Sequence, residues 1–289
     1  MGKKVILSID VDMINYIDRG KTFYNELKVF YPHFKKNVLE IFPVKTSWFL
    51  RIDSQMESVF GTPDFCLKKN TEIIDELKKN DHEIGWHHHA YKYENENWLQ
   101  ETNEAKIINE LLVYGKIARQ YKLNVCRMGW GFQTNATMKV LSDLGFRIDS
   151  SGIPRPKYKW DLSVMDWEGA LTHPYYPSAL NYKQSGDDSL PILEAPLTTS
   201  YLRAAYDTED VVRYVNPCYH HNKFKESFNT IRNKDSICMI MHPYESMPYT
   251  TSHDLISFSF EDLKSNIEFL LMENYEFICF EDLMHSGSV

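Results

Sequence analysis

The chain has 289 residues, 43% of them hydrophobic and 25% charged, and a formal net charge of −8. That length and balance fit one soluble α/β domain spanning residues 1–289, and the sign of the charge weighs against nucleic acid or an anionic membrane as the main partner. No stretch approaches the roughly 18 apolar residues of a membrane span, and the start lacks the apolar core of a secretory signal, so no transmembrane segment and a cytoplasmic location are expected.

Taken in chain order, "KKVILSID" reads as a strand, and "TFYNELKVFYPHFKKNVLEIF" carries apolar residues at helical spacing. "VKTSWFLRI" is a second strand, followed by a short amphipathic helix in "NTEIIDELKKND" with Asn70 as its predicted cap. "HEIGWH" is the third strand. A long helix follows in "TNEAKIINELLVYGKIARQYK", with Thr102 as candidate cap. "NVCRMGW" is the fourth strand, and "TNATMKVLSDLG" is a helix closed by Gly145. "FRIDSS", "LPILEAPL" and "SICMIMH" are further strands, "FSFEDLKSNIEFLLMENY" is a helix, and "EFICFEDL" is the last strand. Repeated alternation of strand and helix predicts parallel βα units closing into a distorted barrel of about seven strands. Residues 152–190, rich in Pro, Tyr, Trp and Asp, break the rhythm as an insertion after the fifth strand; such segments are usually functional. Five scattered cysteines with no C-x-x-C pair predict free, mostly buried thiols.

In a parallel barrel the reactive residues stand at the C-terminal strand ends. Those ends carry Asp10 and Asp12, then His87, His88 and His89, then Arg127 with Trp130 close behind, then Asp149, and finally His242 and Glu245. Asp10 and Asp12 alternate with Val11, so an extended chain points both carboxylates the same way. Two such carboxylates repel unless a cation or a proton lies between them. One aspartate and two histidines make up the donor set of a catalytic zinc.

In this order the motifs resemble those of the polysaccharide deacetylases, the NodB-homology family. "SIDVD" is similar to the first family motif and "HEIGWHHHAY" to the second. "CRMGWGFQTNATMKVLSDLGFRIDSS" is similar to the third, R-x-P-x-G with its helix and strand. "VMDWEG" resembles the fourth and "MIMHPYE" the fifth. The resemblance implies a (β/α) barrel of about seven strands and a metal-dependent hydrolase. It implies Asp10 as general base, Asp12 and His87 as metal ligands, Arg127 as the residue that steadies the base, and His242 as general acid. The chain departs from the pattern at Tyr91, where the second metal histidine usually stands. A phenol is a poor zinc ligand at neutral pH, so His89 is the natural substitute: two positions after His87, it faces the same side of an extended segment. His88 then points away, to a loop or to solvent. The proline of the third motif is also missing, with Met128 read in its place.

The expected reaction is removal of an N-acetyl or other N-acyl group from an amino sugar or glycan precursor, in surface-polysaccharide biosynthesis, with zinc as the expected metal. Asp166 or Glu245 could hold His242 protonated. Trp130, Trp167, Tyr175 and Tyr176 are the candidate substrate contacts; aromatics of the insertion either stack on sugar rings or pack the segment onto the barrel. Trp167, next to Asp166, is expected near His242. Two other readings compete. One is hydrolysis of a small non-sugar amide. The other is a catalytically silent glycan-binding protein, against which the retained base and acid argue.

Overall fold

The computed structural model describes residues 2–15, 22–203, 207–246 and 259–285. Its main sheet contains β1 (Lys3–Val11), β2 (Thr46–Arg51), β3 (Glu83–His88), β4 (Val125–Met128), β5 (Ile148–Asp149), β6 (Leu193–Glu194), β7 (Ser236–Met241) and β8 (Tyr275–Phe277). The order is β6-β5-β4-β3-β2-β1-β7, with β8 also paired to β1. The seven strands of this order are the core of the distorted (β/α) barrel fold expected from the alternation. The helices used below are α1 (Glu26–Phe34), α2 (Thr71–Lys79), α3 (Glu104–Gln120), α4 (Asn135–Asp143), α5 (His221–Ile231) and α6 (Phe260–Met272).

Internal contacts divide the chain into two compact units. The first holds Met1–Trp48, Glu72–Glu83 and Leu197–Asp282. Its centre is β1, buried from Val5 to Val11 and paired in parallel with β7, Ile6 opposite Cys238 and Ile9 opposite Met241. A strand covered on both faces has no polar alternation, which is why "VILSI" reads as a continuous apolar run. Leu263, Ile267 and Leu270 of α6 are fully buried at helical spacing. Phe30 and Phe34 of α1 pack on Trp48 at centroid distances of 5.9 and 5.5 Å.

The second unit holds Phe49–Thr71, Ile84–Pro196 and Leu283–Val289. Here β3 pairs with β4 and β4 with β5, all parallel, and Trp86 stacks on Phe146 at 5.1 Å. The α3 face Ile107, Leu111 and Ala118 is fully buried. Its cap is Asn103, which accepts the Lys106 amide, rather than Thr102; the donor geometry selects the residue one place later. Asn70 donates its side chain back to the Cys66 carbonyl. Gly145 follows α4 at φ 82°, the left-handed turn expected there.

Some predicted elements differ. The early helix begins only at Glu26, after a two-residue strand at Thr22–Phe23. The last predicted strand ends at Phe277, and Phe280–Leu283 turn helical. Their first amides are satisfied by the Glu83 carboxyl, which accepts from Phe280 and Glu281. Phe258, the first residue of the predicted late helix, lies outside the described residues. The hairpin of Tyr91–Glu94 with Asn97–Gln100 was not expected. All five cysteines are buried and free. Among the described residues no helix is long and apolar enough to cross a membrane.

Candidate active site

Asp10 and Asp12 stand at the end of β1, 2% and 5% exposed. In the same unit His242 follows β7 directly. Its Nε2 lies 3.9 Å from Asp12 Oδ2 and its Nδ1 3.4 Å from Glu245 Oε1. Glu245 is itself held: its Oε2 accepts the His242 amide at 2.7 Å and the Asn216 Nδ2 at 2.7 Å. Burial alone pushes the His242 imidazole down, but Glu245 first, then Asp12 and Asp10, outweigh it and hold the pKa up at about 10. Of the two carboxylates the sequence offered for His242, Glu245 is the one in contact with it. Asp166 is engaged by Lys183 at 2.8 Å, and after burial that lysine is what draws its carboxyl below the usual range.

Glu26 is a site residue that sequence reasoning missed. It opens α1 and is 1% exposed, and its Oε2 accepts the Met13 amide at 3.3 Å. Burial, and then the charge of Asp12, push its carboxyl up to about 8. No sequence signal marks it, because a glutamate in the first turn of a helix is ordinarily a solvated partner of the helix dipole.

His87 lies next to the end of β3, opposite Arg127 in the ladder. Its Nδ1 lies 3.1 Å from the Arg127 carbonyl. A carbonyl can only accept, so Nδ1 carries the proton and Nε2 of the neutral ring is left with its lone pair. This is the outer hydrogen bond that commonly orients a metal-binding histidine. The His89 Nε2 faces that Nε2 at 3.1 Å. Two nitrogens on one tetrahedral zinc, at bond lengths of roughly 2.0–2.1 Å, stand about 3.3 Å apart. Asp12, His87 and His89 form a buried group whose ligand atoms all lie within 4.8 Å of one another, which could hold a metal ion. The donor types and the nitrogen spacing fit a divalent transition metal.

Tyr91 lies beside His89. Its ring lies nearly parallel to that of His89, 5.2 Å away, and the Arg51 guanidinium lies 5.3 Å from its centroid. His88 points away from its neighbours, as alternation requires, but into the interior rather than to solvent. It is fully buried, and burial lowers its pKa to about 4. Its 3.7 Å approach to Glu110 therefore joins a neutral ring to a carboxyl that burial raises to about 7.

Matching R-x-P-x-G on Arg127 and Gly131 puts the missing proline at Gly129, not at Met128. The structure supplies the reason for the glycine: a Cβ there would sit 2.2 Å from His89 Cε1 and 2.3 Å from Nδ1. Gly129→Ala is therefore expected to displace the His89 ring and weaken metal binding by about tenfold or more, with little change in melting temperature. Metal titration by calorimetry, read beside a thermal melt, checks both halves; unchanged affinity would mean that His89 is not a ligand. Next in sequence, Trp130 sits at φ 56°, a conformation that costs a bulky residue about 1–3 kcal/mol. Its ring is 44% exposed and stands edge-on to His89 at 5.6 Å and to Tyr91 at 5.6 Å.

Arg127 donates from Nε to the Ser150 carbonyl at 2.8 Å and from Nη2 to Ser150 Oγ at 3.0 Å, with its guanidinium 4.1 Å from the Phe49 centroid. In the insertion, Trp167 is buried and donates to the Gly131 carbonyl at 2.6 Å. Tyr175 is buried too, its hydroxyl donating to the Tyr182 carbonyl at 2.8 Å. Tyr176 is 36% exposed and lines a cavity of about 590 Å³ with His173, Pro174, Ser189 and Pro191. Trp167 and Tyr175 thus pack the segment down, while Tyr176 and Trp130 offer open rings.

No protein-family model and no curated protein matches the chain. Among solved structures it is similar to a protein from Mycobacterium smegmatis described as a polysaccharide deacetylase. The identity is 14%, covering 100% of this chain and 91% of that one, with a TM-score of 0.52. It is also similar to a 4-alpha-glucanotransferase from Thermococcus litoralis at 10% identity, covering 98% of this chain but 38% of that one, with a TM-score of 0.50. The fold is polysaccharide deacetylase-like. The second likeness is a reminder that fold and chemistry are separate questions.

Proposed function

We propose that the protein is a metal-dependent hydrolase that removes an N-acetyl group from an amino sugar within a glycan or glycan precursor. The carrying observation is the buried Asp12–His87–His89 group, with Asp12, Asp10 and Glu245 all acting on the His242 imidazole. The M. smegmatis neighbour, described as acting on polysaccharide, supports the substrate class. In this reading Asp12, His87 and His89 hold a divalent metal, zinc by its preference for such donors. Once bound, that ion supplies Lewis-acid polarisation of the amide carbonyl and a lower pKa for water. Asp10 takes the proton of the attacking water, and Arg127 steadies Asp10. His242 enters protonated, because Glu245 holds it so, and gives its proton to the leaving amine. Trp130 and Tyr176 contact the sugar, and residues 1–289 work as one domain.

Release of acetate from N-acetylated oligosaccharides by the zinc-loaded protein tests this reading. Full metal content with no turnover on any N-acyl substrate would overturn it. Glu245→Gln adds a test by pH. A metal on Asp12 offsets part of that carboxylate's pull, so Glu245 is left as the main group keeping His242 charged. Its loss should bring the alkaline limb of kcat/KM down by about one unit or more. An unmoved limb would remove Glu245 from its assigned part.

A further inference from the structure

Asp149 and Glu194 are two buried carboxyl groups that the proposed reaction does not use. They end β5 and β6 as register partners on neighbouring parallel strands, and both are fully buried. Register partners on parallel strands project to the same face about 4.8 Å apart. Two carboxylates so placed, away from water, cannot both ionise. The titratable groups facing them are Cys126 and Arg127 of β4 and, from the insertion, Tyr175 and Tyr182. Only Arg127 among these is a cation, and its pull on Glu194 is outweighed by burial and by Asp149.

The pair also grips the turn beside it. Asp149 Oδ1 accepts from Ser151 Oγ at 2.6 Å and Oδ2 accepts from Gln133 Nε2 at 2.8 Å. Glu194 Oε1 accepts the Gly152 amide at 3.0 Å. Ser151 Oγ accepts the Met128 amide at 2.8 Å, and Ser150 holds the Arg127 guanidinium at two points. A side chain at Gly152 would meet Glu194 Oε1 at 2.7 Å, so the glycine is what lets the turn lie this close.

We infer that Asp149 and Glu194 hold one proton between them and, through the Ser150–Gly152 turn, position Arg127. The proton is independent of the deacetylase reading; the consequence for rate rests on it. Glu194→Gln keeps an acceptor for Gly152 and a donor toward Asp149 without needing the proton, whereas Glu194→Ala loses both. Three measurements follow. The infrared difference spectrum, wild type minus Glu194→Gln at neutral pH, should carry the carbonyl band of a protonated carboxyl. A carboxyl held protonated in the fold but free to ionise in the unfolded chain costs stability as pH rises above its unfolded value of about 4.3. The melting temperature of Glu194→Gln should therefore gain on wild type between about pH 5 and about pH 8. Third, Glu194→Ala should lower kcat by roughly 100-fold with KM little changed, as misplacement of a catalytic group does, and the Gln variant should recover most of that rate. No protonated band, a melting difference that is flat in pH, or equal rates for Ala and Gln would each overturn the inference. If the wild type proves inactive on amides, the deacetylase reading fails while the spectrum and the melts still decide the pair.

Discussion

Replacing Asp10 with asparagine or His242 with alanine is expected to lower kcat by about 10²–10⁴-fold while metal content per chain stays at the wild-type level. Asp10→Asn changes no volume and leaves the Asp12, His87 and His89 donors in place, but an amide cannot take a proton from water. His242→Ala removes the acid that must protonate the amine as the C–N bond breaks. It strips one partner from a buried carboxylate, yet Glu245 keeps its bonds from Asn216 Nδ2 and the residue-242 amide, both of which survive the change. The protein should therefore fold and load metal. Acetate release, elemental analysis and a thermal melt on the same preparations check the three statements together. Either variant turning over near the wild-type rate would remove its residue from the chemistry; joint loss of metal and activity would make the residue a ligand instead.

How much of this was open to sequence depends on whether a residue's environment is local. The βα alternation and the polar strand ends are local patterns, so the sheet and the insertion after the fifth strand could be read from spacing; the assignment of Asp12 and His87 as ligands comes from the motif resemblance, and that of His89 from its place two residues after His87. The hairpin at Tyr91–Gln100 was not. Its turn, Asn95–Glu96, takes positive φ at both positions without a glycine to announce it. Glu26 and Glu194 look like ordinary surface carboxylates in the sequence; only tertiary packing removes their water. The same holds for Gly129. Its meaning lies in a histidine 40 residues earlier, whose ring fills the space that a Cβ would need.

The tightest constraint falls on the choice between His89 and Tyr91. Asp12→Ala, His87→Ala and His89→Ala should each weaken metal binding by more than the roughly 10–100-fold that loss of a supporting hydrogen bond costs, and should abolish turnover. Each deletes one donor of three, leaving too few to compete with water for the ion. Tyr91→Phe should bind metal as the wild type does. The Tyr91 ring lies nearly flat on His89, tilted by 15°, and backs the imidazole rather than offering it a phenolate. Phe keeps that face, so only the hydroxyl is put to the test; Tyr91→Ala would remove the backing and confound the two roles. Gly129 also lies so close to the His89 ring that a Cβ would collide with it, and the His89 Nε2 faces that of His87. Metal titration of the four variants against wild type decides the matter. Should His89→Ala load metal fully while Tyr91→Phe does not, the ligand set passes from His89 to Tyr91, and the fit of the nitrogen spacing to zinc is a coincidence of packing.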